Sequence, residues 1–296
     1  MFTARQFATI CKLSIVPKNR CGQLSFVRHI HYKRALMCSP DHFVLGDLIN
    51  PWMGGTVDQK KAWQQWDELR KLLEKAGIKV DVIQQTKGLT DMVFACNSGI
   101  VHGKNVYLSH FRHPSRQPER DVYCAWFERH GFTVHGKQHF DYFEGGGDAV
   151  FSSGKLLFAG YGHRTDKSVY TKLAAMCAHH TVLCELVHGH FYHLDTCFFP
   201  LNERQAFYYA PAFSADSVNE MQQQIELIPV TNDQANAFAC NALPVPSAKL
   251  VIAPKGSGES FGAKVRSFGY DYAEVDMSEF MKSGGACQCL VLKIPE

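Results

Sequence analysis

Two carboxylates flank a run of three glycines near the middle of the chain, in Phe143-Glu144-Gly145-Gly146-Gly147-Asp148-Ala149. Carboxylates pair with the planar fork of a guanidinium group through charge-assisted hydrogen bonds. A glycine-rich turn is also found in phosphate sites, but two acids would repel a phosphate and no P-loop lysine follows. The segment therefore favours a cationic ligand, held by Glu144 and Asp148.

A thiol follows a second glycine-rich turn, in Ser283-Gly284-Gly285-Ala286-Cys287-Gln288-Cys289-Leu290. Glycines let the backbone come close to a ligand, and a thiol at the mouth of a strand is well placed to act as a nucleophile. Taken alone, Cys289 fits a buried structural thiol better than a nucleophile. By strand alternation Cys287 would lie on the same face and is an equal candidate.

An imidazole and a carboxylate occur two residues apart, in His193-Leu194-Asp195-Thr196. On a strand both side chains would point to one face, because residues i and i+2 point the same way. Histidine can protonate a leaving amine near neutral pH and then activate water. A strand histidine satisfied by backbone groups is the alternative interpretation of His193.

Further polar residues extend this set. Asp91 and Asn97, in residues 90–97, would add an acid and an amide to the lining of a cationic pocket. Arg116 and Arg164 lie in loop-like stretches and are candidates for binding a substrate carboxylate, although most loop arginines are simply solvated. A nucleophile, a base and acidic anchors are therefore all available for covalent hydrolysis.

The sequence predicts no metal and no organic cofactor. His188, His190 and His193 alternate as on a strand, and no cysteine or carboxylate cluster nearby in the sequence completes a zinc site. The 11 cysteines are irregularly spaced and contain no paired CxxC set, so we expect reduced thiols. Several lie in apolar runs and are expected to be small core residues: Cys38, Cys96, Cys197 and Cys240.

Alternating strand and helix patterns predict the elements that must position these groups. Apolar residues at helical spacing predict a helix over residues 59–76, which Gly77 would end. Runs dense in Val, Phe, Tyr and Leu predict strands over 93–101, 106–109, 155–160, 207–210 and 250–254. Further helices are expected over 123–131, 170–178 and 258–268. This alternation predicts an α/β fold.

An internal repeat refines the α/β prediction. The tetrapeptide Phe-Ala-Cys-Asn occurs twice, in a first copy (residues 94–97) and a second copy (residues 238–241). A polar residue ends or interrupts each comparable strand, with successive separations of 47, 47, 49, 48 and 48 residues: Asn50, Asn97, Glu144, His193, Asn241 and Cys289. Such a period indicates an array of equal units, and five of them could point these residues at a common centre. Because the markers were chosen by inspection, coincidence is the alternative.

The segments named above resemble, in order and spacing, the guanidino-group-modifying superfamily. This superfamily includes arginine deiminases, dimethylarginine dimethylaminohydrolases and glycine amidinotransferases, all built on a five-fold α/β propeller. The resemblance covers residues 35 to 294 and implies a five-fold pseudo-symmetric propeller (pentein) of ββαβ-type repeats. It is greatest to the arginine dihydrolase branch, through Cys38-Ser39-Pro40-Asp41-His42-Phe43, Ile49-Asn50-Pro51-Trp52-Met53 and Gly160-Tyr161-Gly162-His163-Arg164.

The resemblance assigns roles that the residues alone leave open. It implies that Cys289 is the nucleophile, that Cys287 is a variable neighbour and that His193 is the general acid and base. Three acids match the lining of the guanidinium pocket: Glu144, Asp148 and Asp195. Four residues match substrate-contact positions, with the arginines facing the substrate α-carboxylate: Asn50, Asn97, Arg116 and Arg164.

Two positions bear on the reaction. Animal dimethylargininases carry Lys where this chain has Asp195, and a carboxylate there suits an unsubstituted guanidinium nitrogen, which has protons to donate. Deiminases carry Asp where this chain has Asn97, whereas the dihydrolase branch carries Asn. The resemblance therefore favours conversion of arginine to ornithine, carbon dioxide and ammonia through a covalent Cys289 intermediate.

Several alternatives stay open. Within the superfamily they are, in order, dimethylarginine hydrolysis to citrulline and dimethylamine, arginine deimination, and amidino transfer to an amine. A non-catalytic arginine-binding propeller is the alternative from a different class, because a fold can outlive its chemistry. The sequence also leaves open whether the protein forms homo-oligomers.

The N-terminal segment differs in charge from the rest of the chain. Residues 1–40 contain no Asp or Glu but carry bases spaced by apolar residues at roughly helical intervals. This pattern is typical of a mitochondrial transit peptide, so we expect a presequence over residues 1–32 and a single catalytic domain over 33–296. A disordered basic tail in a cytoplasmic protein is the alternative. The remaining body is close to neutral and its apolar runs are strand-sized, so we expect neither a nucleic-acid nor a membrane partner.

Overall fold

The computed structural model describes residues 31–177 and 179–295 of the chain. The predicted presequence, residues 1–32, therefore lies outside the described residues except for its last two positions. Within the described ranges, no helix combines the length and the apolar character needed to cross a bilayer.

Fifteen strands in the described residues form five three-stranded sheets. The strands are β1 (Tyr32–Cys38), β2 (Lys79–Ile83), β3 (Gly99–His102), β4 (Asn105–Leu108), β5 (Thr133–His135), β6 (Ala149–Ser153), β7 (Leu156–Tyr161), β8 (His180–Glu185), β9 (Phe198–Pro200), β10 (Gln205–Tyr208), β11 (Glu226–Pro229), β12 (Leu243–Val245), β13 (Leu250–Pro254), β14 (Asp271–Val275) and β15 (Leu292–Pro295).

Seven α-helices accompany these strands in the described residues. They are α1 (Gln59–Lys75), α2 (Glu119–Arg129), α3 (Val169–Met176), α4 (Ala215–Gln222), α5 (Asn232–Asn236), α6 (Glu259–Ser267) and α7 (Ser278–Met281). In α1 the Asp58 side chain caps the first turn by accepting a hydrogen bond from the Lys61 N–H, and Trp66, Leu69 and Leu73 are buried on one face. Gly77, with a φ of 83°, follows the end of the helix.

All five sheets have the same internal pattern. The middle strand pairs antiparallel with one neighbour and parallel with the other. A helix joins each parallel pair, since parallel neighbours cannot be connected by a tight turn. The strand orders are β15-β1-β2, β3-β4-β5, β6-β7-β8, β11-β10-β9 and β12-β13-β14. The expected α/β class is confirmed, with mixed sheets.

The first sheet joins the two ends of the described chain. β15 pairs antiparallel with β1, with Leu36 opposite Leu292, whereas the other four sheets each use three consecutive strands. The loop that carries Cys289 leads directly into β15. The pairing of β1 with β15 therefore fixes the position of that loop.

Most of the predicted elements are found close to their expected bounds, but three site segments differ. Residues 93–101 were expected to form one strand; instead Thr90–Val93 and Ala95–Ser98 are 3₁₀ turns, and β3 begins only at Gly99. Leu194–Thr196 is also a 3₁₀ turn, and residues 287–290 form a turn before β15. The arguments that used strand alternation at His193 and at Cys287 were therefore wrong. Buried turns carry dense apolar sequence as strands do, and periodicity cannot separate the two over such short segments.

Candidate active site

The thiol of Cys289 is held in place by Asn241, which ends the 3₁₀ turn Ala239–Asn241. Asn241 Nδ2 lies 3.1 Å from Cys289 Sγ, and Asn241 Oδ1 accepts hydrogen bonds from the backbone N–H groups of Cys289, at 3.2 Å, and Ala286, at 3.1 Å. Asn241 Nδ2 also donates to the carbonyl of Asp195 at 2.9 Å. One buried amide thus orients the nucleophile loop and the adjacent acidic turn.

Two further groups face the Cys289 sulfur. Cys289 Sγ donates to Asp195 Oδ2 at 3.2 Å, and Cys96 Sγ donates to the same oxygen at 3.5 Å. Burial opposes ionisation of the Cys289 thiol, but hydrogen bonds, above all those with Cys96 and Asp195, lower its pKa to about 7. Burial and the nearby sulfur raise the pKa of Asp195 well above its usual range. The raised pKa of Asp195 and the lowered pKa of Cys289 both shift the proton from the sulfur toward the carboxyl group, which favours the thiolate.

The structure distinguishes Cys289 from its neighbour Cys287. Both side chains are buried, but burial raises the pKa of the Cys287 thiol far above that of a free cysteine. Both cysteines belong to the hydrophobic cluster that contains Trp66 and Phe280, but only Cys289 has a hydrogen bond from Asn241 and one to Asp195 among the described contacts. Cys289 is thus the thiol with nucleophilic character, and Cys287 has the environment of a core residue.

The imidazole of His193 is paired with Glu144. His193 Nε2 lies 2.7 Å from Glu144 Oε2, and Arg164 Nη1 donates to the same oxygen at 3.0 Å. Burial opposes ionisation of Glu144, but the charge of Arg164 and the hydrogen bond with His193 hold its pKa well below the usual range. Glu144 is therefore a carboxylate at neutral pH and fixes the orientation of the ring.

Asp148 holds the backbone of the residue that follows His193. Asp148 Oδ1 accepts from the Leu194 N–H at 3.1 Å, and Oδ2 accepts from Thr165 Oγ1 at 2.6 Å. Burial raises the pKa of Asp148. In this arrangement Asp148 holds the segment that carries His193 and Asp195, and its direct contact with a guanidinium group stays a prediction.

Close packing at Gly147 explains the glycines between the two acids. A Cβ atom at Gly147 would lie 2.5 Å from Asn97 Nδ2 and 3.0 Å from His193 Nδ1. A Cβ atom at Gly145, whose φ is 54°, would lie 2.8 Å from the Asn97 backbone. The glycine run therefore brings the chain against Asn97 and His193, where a side chain has no room.

Asn97 joins the thiol and imidazole halves of the site. Its Nδ2 lies 3.4 Å from Cys96 Sγ and 3.4 Å from the Glu144 carbonyl, and its Oδ1 accepts from Arg116 Nη1 at 3.1 Å. Arg116 in turn forms a two-point ion pair with Glu119, with both N–O distances 2.9 Å. Arg116 thus orients Asn97 from a buried position, and its contact with a substrate carboxylate stays a prediction.

The remaining predicted residues surround the glycine turn before Cys289. Asn50 Nδ2 donates to the Ser283 carbonyl at 3.0 Å, and Asp91 Oδ1 accepts from Ser283 Oγ at 3.0 Å. Tyr192 Oη donates to the Gly284 carbonyl at 2.8 Å, and the Arg164 guanidinium lies 4.5 Å from the centre of the Tyr192 ring. The ten residues predicted from the sequence are therefore brought together around two adjacent clusters.

Three contributors were missed by sequence reasoning: Cys96, Glu119 and Thr165. Asn241 was identified only as one of the periodic polar residues, without a role at the thiol. The duplicated tetrapeptide held a signal for Asn241 and Cys96, because it marked both segments as equivalent. Glu119 and Thr165 act through Arg116 and Asp148, and nothing in their sequence surroundings points to these roles.

One buried oxygen of the site has no partner among the described residues. Asp195 is only 1% exposed, and its Oδ1 is inaccessible to solvent and accepts no hydrogen bond from the described residues. An unsatisfied buried carboxylate oxygen beside a thiol is suited to receive an N–H group of a ligand. Cys96, Asp195 and Cys289 are also of types that can bind a metal ion such as Zn²⁺, their donor atoms lying within 4.8 Å of one another. The expected absence of a metal stays a prediction.

Comparison with known proteins places this arrangement in a family. A family model described as N,N dimethylarginine dimethylhydrolase, eukaryotic, matches residues 53–295. An uncharacterized protein of Caenorhabditis elegans is 49% identical over 263 residues, 88% of this chain and 94% of that protein. The N(G),N(G)-dimethylarginine dimethylaminohydrolase of Mycobacterium tuberculosis is 34% identical, covering 88% of this chain and 86% of the enzyme.

A cyanobacterial enzyme gives the structural comparison. The bifunctional arginine dihydrolase/ornithine cyclodeaminase ArgZ of Synechocystis sp. is 39% identical over 89% of this chain, which spans 38% of the length of ArgZ. The crystal structure of the ArgZ N-terminal domain bound to substrate matches with a TM-score of 0.85, covering 89% of this chain and 98% of that domain. The chain therefore belongs to the dimethylarginine dimethylaminohydrolase family of the guanidino-group-modifying superfamily, whose named relatives are hydrolases of guanidino C–N bonds.

Proposed function

We propose that the protein hydrolyses arginine to ornithine, carbon dioxide and two molecules of ammonia, through a covalent intermediate on Cys289. The observation that carries the proposal is the unpartnered Oδ1 of Asp195 beside a thiol whose pKa is about 7. A protonated guanidinium nitrogen would satisfy that oxygen and would present its central carbon to the sulfur. The cationic substrate would also favour ionisation of both Asp195 and Cys289.

The first round of the proposed reaction releases one ammonia. The Cys289 thiolate attacks the guanidinium carbon, and His193, held by Glu144, delivers a proton to the departing amine. The carbon is left bonded to sulfur as an amidino thioether. His193 then takes a proton from a water molecule, whose oxygen attacks the same carbon, and the C–S bond breaks to give citrulline and free thiolate.

The second round follows the same course on citrulline. The thiolate attacks the ureido carbon and the terminal nitrogen leaves as the second ammonia, so the carbon stays on sulfur as a thiocarbamate. Hydrolysis yields the carbamic acid of ornithine, which loses carbon dioxide. The net change consumes two water molecules per arginine.

Two findings favour arginine over its methylated derivatives. Asp195 needs an N–H donor, and the dimethylated nitrogen of asymmetric dimethylarginine carries no N–H group in the guanidinium cation. The identity to the arginine dihydrolase ArgZ, 39%, also exceeds the 34% identity to the mycobacterial dimethylarginine dimethylaminohydrolase. Dimethylarginine hydrolysis to citrulline and dimethylamine is the second candidate, favoured by the family match and by the mycobacterial relative.

The test incubates the protein separately with arginine, asymmetric dimethylarginine and citrulline, and identifies the products by mass spectrometry. Ornithine with two ammonia per arginine is expected, and Cys289→Ser should lose this turnover while Cys287→Ser keeps it. Dimethylamine from the methylated substrate, with no product from arginine, would make dimethylarginine the substrate. Citrulline accumulating from arginine would indicate a deiminase. No product, with arginine still raising the melting temperature, would mean an arginine-binding protein without chemistry. Repeating the incubations with an added amine acceptor would then test amidino transfer.

We further propose that the five sheets are the blades of a five-fold pseudo-symmetric propeller. The common sheet pattern, the pairing of β15 with β1 and the spacing of the polar markers support this arrangement. An experimental structure would test it through the rotation that relates successive sheets, which we expect to be about one fifth of a turn.

We also propose that residues 1–32 direct the protein to the mitochondrial matrix and that residues 33–296 form the catalytic domain. The acid-free, basic composition of residues 1–40 supports import. A fluorescent protein fused after residue 32 should be located with a matrix marker, and replacing Arg5, Lys12, Lys18 and Arg20 by glutamine should abolish that location. Diffuse cytoplasmic fluorescence of the unaltered fusion would contradict the proposal.

A further inference from the structure

Cys96 is a buried thiol beside the nucleophile that the proposed reaction does not use as a reactant. Its Sγ and the Sγ of Cys289 both contact Asp195 Oδ2, and the three atoms lie within 4.8 Å of one another. The two backbones are also adjacent, because the Cys96 N–H donates to the Cys289 carbonyl at 3.1 Å. Two cysteines on directly hydrogen-bonded backbones are within the range that a disulfide can span.

We propose that Cys96 is a resolving cysteine, which converts oxidised Cys289 into a reversible Cys96–Cys289 disulfide. The proposal rests on the proposed function only in taking Cys289 as the reactive thiol of the site. It assigns to the site a modification that removes the nucleophile without destroying it. The oxidant is a peroxide, of which hydrogen peroxide is the simplest.

The two steps balance as follows. The Cys289 thiolate attacks one peroxide oxygen, the O–O bond breaks, and the sulfur becomes a sulfenic acid while hydroxide takes a proton and leaves as water. Cys96 sulfur then attacks the Cys289 sulfur, the S–S bond forms, the S–O bond breaks and the oxygen leaves as a second water. Two thiols and one hydrogen peroxide give one disulfide and two waters.

Asp195 is placed to transfer the proton in the second step. Burial and the neighbouring Cys289 and Asp195 groups raise the pKa of the Cys96 thiol, so Cys96 needs a base before it attacks. Asp195 Oδ2 already accepts the Cys96 S–H at 3.5 Å and also contacts the Cys289 sulfur at 3.2 Å. The proton therefore has a direct path from the attacking sulfur to the departing oxygen.

A small oxidant has access to Cys96 from the side of the molecule that carries β3, β6 and β15. A cavity of about 70 Å³ is lined there by Cys96, Gly146, Gln288 and Lys293, among other residues. This volume holds more than one water-sized molecule. Hydrogen peroxide is close to water in size, so this cavity can hold it beside Cys96, whose Sγ lies within 4.8 Å of the Cys289 Sγ.

The chain offers a matched control in the second copy of the tetrapeptide. Cys240 occupies the position equivalent to Cys96, is equally buried, and has a pKa raised by burial. The described contacts place no hydrogen bond between its thiol and Asp195 or Cys289. Cys240→Ala therefore removes a buried thiol from the same local sequence without touching the proposed pair.

The test treats the full-length protein, Cys96→Ala, Cys96→Ser and Cys240→Ala with hydrogen peroxide and maps the peptides without reduction by mass spectrometry. The unaltered protein and Cys240→Ala should yield a Cys96–Cys289 cross-linked peptide and recover most of their turnover after dithiothreitol. The Cys96 variants should carry Cys289 as sulfinic acid and recover less than about one tenth of the turnover that each variant had before oxidation. The reason is that thiols do not reduce a sulfinic acid.

Three outcomes would overturn the inference. They are sulfinic acid at Cys289 of the unaltered protein with no cross-linked peptide, a mixed disulfide with added glutathione in place of the internal one, and equal recovery in the Cys96 variants. If a Cys96 variant unfolds, the cross-link in the unaltered protein still decides, since it is read by mass. A cross-link in a protein without turnover would support this inference and contradict the proposed function. Turnover without a cross-link would support the proposed function and contradict this inference.

Discussion

The two copies of Phe-Ala-Cys-Asn fold into similar turns but contribute to the site in different ways. Each copy forms a 3₁₀ turn just before the first strand of a sheet, Ala95–Ser98 before β3 and Ala239–Asn241 before β12. In the second copy the asparagine contacts the Cys289 sulfur directly. In the first copy the cysteine contacts the carboxyl group of Asp195, and the asparagine is held by Arg116.

This difference separates what local sequence decides from what tertiary neighbours decide. Identical residues give nearly the same turn, although the phenylalanines differ, with φ of −82° at Phe94 and 58° at Phe238. Cys96 lies against Asp195 and the Cys289 thiol, whereas burial alone raises the pKa of Cys240. The same thiol is therefore part of a reactive cluster in one copy and a core residue in the other.

The largest effect on kcat/KM should come from replacing the asparagine of each copy, one at a time, by alanine. Asn241→Ala removes a donor to the thiolate and the anchor of two backbone N–H groups, so kcat/KM should fall by about 10²- to 10³-fold. Asn97→Ala removes one hydrogen bond of Arg116 and should cost roughly tenfold. Steady-state kinetics on the substrate, with melting temperatures as a check of folding, would measure both. Equal losses would mean that the two copies do not differ as described.

An intermediate effect on kcat is expected from adding a methyl group next to Asn97, in the first copy of the tetrapeptide. Gly147→Ala places a methyl group 2.5 Å from Asn97 Nδ2 and 3.0 Å from His193 Nδ1, so one of these groups must move. A displacement of that kind should lower kcat by about 10- to 10²-fold. Gly54→Ala is the control, because its added methyl would meet no atom within 4 Å. Unchanged kcat in Gly147→Ala would show that Asn97 and His193 have more freedom than their packing indicates.

The smallest effect concerns the cysteines of the two copies. A lowered pKa means that the Cys289 thiolate is populated above about pH 7 and is lost as the pH falls below that value. Removing the hydrogen bond from Cys96 in Cys96→Ala should move the midpoint of iodoacetamide alkylation of Cys289 upward, toward the ordinary thiol value of about 8.5. Cys240→Ala should leave the midpoint unchanged. A common midpoint in all three proteins would remove Cys96 from the electrostatics of the nucleophile.

Helices and several strands could be predicted from the sequence because their hydrophobic patterns are long or regular. The helix expected over 59–76 is found as Gln59–Lys75, and the strand expected over 250–254 is found with the same bounds. The site residues could be proposed because carboxylates beside a glycine run favour a cationic ligand such as a guanidinium group. Their positions along the chain also matched a known superfamily.

The remaining features depend on contacts between distant residues. Residues 94–98 have a strand-like composition, yet the Cys96 N–H bonds to the carbonyl of Cys289, almost two hundred positions away, and the segment turns instead. The choice between Cys287 and Cys289 was open for a related reason. Hydrogen bonds with Cys96, Asp195 and Asn241, all supplied by other units, lower the pKa of the Cys289 thiol, whereas burial raises that of Cys287.

The pairing of β1 with β15 has a consequence for the order in which the protein can be made. β1 is synthesised early and its antiparallel partner comes last among the described strands, directly after the nucleophile loop. The first sheet therefore cannot be completed on a ribosome-bound chain while residues near 295 are still in the exit tunnel. Four sheets can form from consecutive residues during translation, whereas the reactive thiol acquires its surroundings only after these last residues emerge. A nascent or truncated chain would thus carry a folded scaffold that is chemically inert.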